Sequence, residues 1–386
     1  MRCLFIVPPL TGHINPTVAV ARQLEQRGHE VAWVGHPGAL KRLLPPQAKI
    51  FELDDSVPTD LSEMRAKQAK ASRGLRAFKF LWEDFFIPLA KASVPGVRDA
   101  MDSFNPHVTI VDQQALAGAI VCRERGVKWA MSATTSAGVV DPFEGLPTIR
   151  EWLDCQFTEL QISYGLTPVK NPDRSPMCNL VFSSRLLVGE AADALPGTYH
   201  FVGPAVDDRV RRPVNFPWDE LGAKPVVYAS LGTVNHDRGE RFYPTLFKAV
   251  ADKPIQVVLS APVGYQDAAP GNVILRPYVP QLELLKKVQG VISHAGHNTV
   301  CETLMNGVPL VMTPIKDDQP IVAQQVVDAG AGVRLRFGRL SPTTLWQAVE
   351  EILTAPQYAA AAQALQTSLE QAGGAAAAAQ ILESLP

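Results

Sequence analysis

The stretch Cys3–Gly35, CLFIVPPLTGHINPTVAVARQLEQRGHEVAWVG, decides the fold. It opens with the unbroken apolar run 3–8, passes through a turn-rich Pro-Pro-Leu-Thr-Gly-His, and continues as a helical run near 16–27. Gly28-His29 then leads into Val31-Ala-Trp-Val-Gly35. Strand, helix and strand in that order form the βαβ unit of a parallel sheet, and the lack of alternation in the runs means that helices cover both faces.

The same grammar recurs along the chain. Val108-Thr-Ile-Val-Asp112 is followed by a helix over 114–124 and by Gly126–Met131. It begins anew at Pro225–Thr233 and continues through Ile255–Ser260, Val273–Leu275, Val291–Ser293 and Leu310–Pro314. The chain therefore reads as two Rossmann-like, doubly wound α/β domains in tandem. Residues 1–208 form the first, 209–217 a linker rich in proline and charge, and 218–370 the second. Alanine-rich 371–386 is a last helix, expected to pack back on the N-terminal domain.

Composition narrows the function. The chain has 386 residues, 46% of them hydrophobic and 19% charged, with a formal net charge of −2. That is a globular composition with no basic field for nucleic acid. The opening apolar run is stopped by prolines before a signal core or a spanning helix could form, and the five cysteines are scattered, so a reduced, cytoplasmic setting is expected and a zinc site is not. No Gly-x-Gly-x-x-Gly or Walker loop follows a strand, which counts against NAD, FAD and ATP.

In doubly wound sheets ligands sit beyond the carboxyl ends of the strands. Ser293-His-Ala-Gly-His-Asn-Thr299 stands at such an end. Gly296 allows close backbone approach, and the free amides opening the next helix favour an anion. Helix capping competes, because Thr299-Val-Cys-Glu302 matches a capping box, and Asn306-Gly307 makes a good stop. His13 lies in the loop after the first strand, and imidazole is the side chain best suited to take a hydroxyl proton near neutral pH. Asp112, at the end of a strand on the same sheet edge, is its candidate partner; the competing role is a helix N-cap. His29 lies at the opposite edge and is expected to be structural.

His294, Gly296, Asn298, Thr299, Glu302, Gly307-Val-Pro309, Pro314 and Asp318-Gln319, with Tyr278-Val-Pro-Gln281 upstream, resemble the donor signature of the family 1 glycosyltransferases. Gly12-His13, Pro16, Val202-Gly-Pro204 and Ser230-Leu-Gly-Thr233 extend the resemblance over the whole chain. His297, Ala295 and Tyr278 depart from the tryptophan, cysteine and tryptophan of plant members and look more like bacterial ones. The resemblance implies a GT-B fold, two Rossmann-like domains facing a central cleft, and an inverting transfer from a nucleotide diphosphate sugar. It implies that Tyr278, Val279 and Gln281 meet the nucleobase and Glu302 the ribose. Ser230, Thr233, His294, Gly296, His297, Asn298 and Thr299 would meet the diphosphate, and Asp318 and Gln319 a glucose-like sugar. His13 would be the general base, held by Asp112. No cofactor and no metal are implied, since helix terminus and donors would stabilise the leaving diphosphate; a solvated turn or a carboxylate pair for a metal are the other readings of Asp317-Asp318.

Acceptor contacts are expected from 55–90 and 134–165. Basic Arg65, Lys67, Lys70, Arg73, Arg76 and Lys79 interleave with aromatics from Phe78 to Phe86, which suits a core or a greasy pocket, and secondarily a membrane surface touched by 65–89. A hydrophobic or aromatic small-molecule acceptor is favoured. The rival functions are a nucleotide-sugar epimerase of similar fold and a non-catalytic nucleotide-sugar-binding partner.

Overall fold

The run at Cys3 forms β1 (Arg2–Ile6), whose last four residues are buried, as expected of a strand covered on both faces. The structure, a computed structural model, describes residues 1–54, 79–135, 138–141, 145–207, 214–232, 239–262 and 264–385. Its contacts divide the chain into two units. The first comprises Met1–Phe182, Ala194–Val210 and Gly373–Pro386, the second Ser183–Asp193 and Arg211–Ala372.

In the first unit β1 is joined by β2 (Glu30–Gly35), β3 (Lys49–Glu52), β4 (Val108–Asp112), β5 (Trp129–Ala133), β6 (Cys178–Val181) and β7 (Tyr199–Phe201). Their order is β3-β2-β1-β4-β5-β6-β7, with every pair parallel. Chain order reverses between β1 and β4, and the crevice beyond their carboxyl ends is where such a sheet binds its ligand. Phe5, Ile14, Val18, Trp33 and Ile110 anchor the core.

Sequence reasoning starts the first helix near 16; the helix instead runs Thr11–Gln26, with Leu10 as N-cap and Pro16 inside it. An internal proline gives up one backbone hydrogen bond and crowds the carbonyl four residues back, which here belongs to Gly12, a residue with no side chain to add to the crowding. His13 thereby moves from a loop to a first helical turn, where its position is fixed.

The last helix, Gly374–Glu383, belongs to this unit and buries Ala378, Ala379 and Leu382 in the same core. Glu383 accepts from Arg27 Nη1 at 2.6 Å and lies 2.7 Å from His29 Nε2, so His29 fastens the terminal helix. Of the basic and aromatic stretch, residues 65–78 lie outside the described residues. Beyond them Phe85, Phe86 and Leu89 are buried together against Leu10, Leu81 and Trp82, so these aromatics serve the interior. No helix among the described residues is long and apolar enough to cross a membrane.

The second unit holds β8 (Val226–Ser230), β9 (Gln256–Ser260), β10 (Val273–Arg276), β11 (Gly290–Ser293), β12 (Leu310–Met312) and β13 (Gly332–Arg334). The order β10-β9-β8-β11-β12-β13, again all parallel, repeats the pattern of the first sheet. Its reversal falls between β8 and β11. Ser183–Asp193, which the sequence reading keeps in the first domain, groups here because Leu187 is buried in this unit's core. Of the linker, residues 208–213 lie outside the described residues.

Candidate active site

Each sheet presents polar side chains at its reversal point. In the first unit β4 ends at Asp112, next to β5, with Asp112 in register with Ser132. His13 descends from its helical turn so that Nδ1 lies 2.9 Å from both Oδ1 and Oδ2 of Asp112. The carboxylate is 1% exposed. Such a burial is costly unless the charge is well supplied with donors. Besides His13 it accepts from Gln114 N at 2.9 Å and from Thr134 Oγ1 at 3.1 Å. The N-cap role for Asp112 is not found: the following helix, Leu116–Glu124, has Ala115 at its N-cap. Thr134 was not singled out by the sequence reading, which took it only as the start of an acceptor segment; the signal available was a hydroxyl residue immediately beyond an apolar strand.

In the second unit β8 ends at Ser230 and β11 at Ser293, directly in register. Each serine folds its hydroxyl back on the loop it opens: Ser230 Oγ accepts from Gly232 N and Ser293 Oγ from Ala295 N, both at 3.1 Å. Between the two loops lies the imidazole of His294. A Cβ on Gly232 would come within 2.5 Å of this ring, and so would one on Gly296. Gly296, read from sequence as leaving room for a ligand, is thus required first by His294. Burial pushes the His294 pKa down to about 4, Lys316 adds to the shift and a bond to the Ser230 backbone opposes it, so the ring is neutral at pH 7. Its Nδ1 is buried with no hydrogen-bond partner among the described residues.

Gly296 is the N-cap of the helix His297–Leu304, and no side chain caps that end. The capping-box reading of Thr299 and Glu302 is therefore overturned: the helix starts two residues before Thr299. Glu302 instead accepts from Gln281 Nε2 at 2.6 Å, and Gln281 Oε1 accepts from Tyr228 at 3.0 Å. The three form one chain of hydrogen bonds through half-buried Gln281, and Tyr228 is a member that sequence reasoning passed over as strand interior. His297 turns its Nε2 towards Cys301 Sγ, 3.6 Å away on its own helix.

Tyr278, on the turn after β10 and followed by half-buried Val279, is 76% exposed and offers a free aromatic face. Past β12, Gln319 Oε1 accepts from Ile315 N at 2.9 Å and Lys316 N at 3.1 Å, which holds the loop in front of Asp318. Asp318 is the N-cap residue of the helix Gln319–Asp328 and makes no side-chain capping bond. Asn298 and Thr299 occupy the first turn of their helix. Thr233 lies outside the described residues. Among the described residues no three His, Cys, Asp or Glu side chains gather as a metal site.

Two family models match the chain: the UDP-glucoronosyl and UDP-glucosyl transferase model over residues 216–369, and the Glycosyltransferase family 28 N-terminal domain over residues 11–101. The chain is 27% identical over 391 residues to the NDP-glycosyltransferase YjiC of Bacillus licheniformis, covering 97% of this chain and 95% of that one. To the zeaxanthin glucosyltransferase of Pantoea ananas it is 26% identical over 422 residues, covering 98% and 95%. Among solved structures, the glycotransferase of kitacinnamycin superposes with a TM-score of 0.79 at 23% identity, over 100% of this chain and 99% of that one.

Proposed function

This chain is a family 1 glycosyltransferase of the GT-B fold that takes its sugar from a nucleotide sugar, and we propose that it is an inverting enzyme with His13 as general base and a hydrophobic small molecule as acceptor. The observation that carries the reading is the buried His13–Asp112 pair at the carboxyl edge of its sheet. Asp112 can only accept, so His13 keeps its proton on Nδ1 and turns the Nε2 lone pair outward. That lone pair takes the proton of an acceptor hydroxyl as the oxygen attacks the anomeric carbon. The C–O bond to the diphosphate breaks on the opposite face, and one displacement inverts the centre. Asp112 stabilises the imidazolium that forms.

The donor side draws on the second unit. Amides at the start of the helix His297–Leu304 offer donors to a diphosphate, and the ring of His294, packed against Gly232 and Gly296, braces the two loops that present them. Those amides would stabilise the leaving group without a metal ion. Exposed Tyr278 suits stacking on a base, and Glu302, aimed by Gln281, suits a ribose diol. Asp318 and Gln319 remain the proposed partners of the sugar hydroxyls, with a glucose-like sugar favoured. An apolar acceptor fits the printed activity of the Pantoea relative, on zeaxanthin.

Uridine has both ribose hydroxyls, whereas the thymidine of dTDP lacks the 2′ one, so a chelating Glu302 favours UDP sugars. Competition of UDP and dTDP for the donor site, measured by calorimetry, should favour UDP by about tenfold, the worth of one charge-assisted hydrogen bond. In Glu302→Gln the preference should shrink. The transferase itself is tested with a donor panel against phenolic and polyketide acceptors, products being detected by mass and their anomeric configuration by NMR. An α-linked donor should yield a β-linked product; a retained configuration would sink the single-displacement mechanism.

A further inference from the structure

Thr134, the first residue past β5, is buried, and its hydroxyl oxygen lies 2.8 Å from His13 Nδ1 as well as 3.1 Å from Asp112 Oδ2. We infer that Thr134 is a positioning residue that fixes which imidazole nitrogen of His13 carries the proton; the inference rests on His13 being the base.

The argument is one of donors and acceptors. Asp112 holds two oxygens that accept, and each has a fixed donor besides His13: Gln114 N on Oδ1 and Thr134 Oγ1 on Oδ2. Together these bonds stop the carboxylate from turning about its Cβ–Cγ bond. Because Asp112 claims the hydroxyl proton of Thr134, the threonine oxygen faces Nδ1 as an acceptor. A lone pair on Nδ1 would then meet three oxygens between 2.8 and 2.9 Å away, so that nitrogen keeps its hydrogen. Among the described residues Asp112 is the one ionisable side chain within hydrogen-bond distance of His13. Without the hydroxyl, Oδ2 loses its fixed donor, the carboxylate is free to rotate, and the tautomer with the proton on Nε2, useless as a base, gains population.

The full-length protein is tested as wild type, Thr134→Val, Thr134→Ser and His13→Ala. Nitrogen-15 NMR of the free protein at pH 7 reports the His13 tautomer, and steady-state kinetics use UDP-glucose with the phenolic acceptor that turns over best. The expected result is a Thr134→Val enzyme with kcat lowered about tenfold, both KM values unchanged and a mixed tautomer, while Thr134→Ser behaves as wild type. Wild-type kcat and tautomer in Thr134→Val, alongside an inactive His13→Ala, overturn the inference and leave the base intact. A raised KM with unchanged kcat also overturns it, since that is a binding role. Full activity in His13→Ala removes the base reading instead, and the NMR signal then decides on Thr134 alone. Should Thr134→Val fold poorly by circular dichroism, Thr134→Ala reads the same quantities.

Discussion

His294 is the residue whose environment has the clearest consequence outside catalysis. Its pKa falls from 6.5 to about 4 on folding, chiefly through burial. Between those values the unfolded chain binds a proton that the native ring refuses. Stability is therefore complete above about pH 6.5 and declines as pH falls towards 4, by about 3 kcal/mol if His294 acts alone. Urea unfolding at pH 8 and pH 4 should show a smaller acid loss in His294→Gln than in the wild type; equal losses would show that the ring is not the titrating group. Over the range 6.5–8 the ring stays neutral, so it brings no charge to the proposed diphosphate seat. At this scale much of the site is legible in the sequence. Asp112 and His294 stand out as polar residues at the ends of apolar strands and His13 as an imidazole soon after the first, while Ser230 enters through the family resemblance. Thr134 and Tyr228 do neither, because their meaning lies in partners that only the sheet order brings near. The Thr299-x-x-Glu302 pattern misleads for a related reason: helix starts are set by where the backbone leaves the sheet, and this one leaves at Gly296.

The elements around His294 show why two glycines flank it. Gly296 has φ −64°, a conformation open to any residue, so its requirement comes from the ring and not from the backbone. Gly232 has φ +71° and meets both demands. Gly296→Ala should cost about 1–3 kcal/mol through overpacking and should weaken UDP binding as the ring is displaced. In a His294→Ala background the same substitution should cost little, and calorimetry with unfolding on the four proteins gives the coupling. Additive effects would show that ring and glycine do not interact. The main strands were legible as elements, since unbroken apolar runs bounded by turns have few other readings. The strands β3, β6, β7 and β13 were not; at three or four residues each they match β10, β11 and β12 in length, but Lys49, Asn179, His200 and Arg334 break up their apolar runs. The first helix begins earlier than its sequence suggests because the turn-rich residues before Pro16 take part in it: Gly12 tolerates the proline four residues on, and Ile14 and Val18 pack into the core.

At the scale of the whole molecule the same order of six strands occurs twice, the first sheet adding β7, and each unit places a cluster of polar side chains at its own reversal point. In the proposed account the first unit supplies the base and the acceptor's surroundings, and the second binds the nucleotide sugar. The two tandem α/β units were legible from the repeated βαβ grammar, whereas the proposed division of roles between them came from the family resemblance. The return of Gly374–Glu383 to the first unit was expected from the alanine-rich tail, although no pattern in the sequence specifies Glu383 as the residue that meets Arg27 and His29. The division also separates the two kinds of defect that a variant can show. A change at His13 should leave nucleotide binding untouched while stopping transfer. The most direct measurement is therefore made on full-length His13→Ala, with UDP affinity determined by calorimetry and transfer from UDP-glucose to the best acceptor followed by mass detection. The account predicts wild-type UDP affinity with kcat reduced by about 100-fold or more, the usual worth of a general base; undiminished O-transfer by this variant would contradict it.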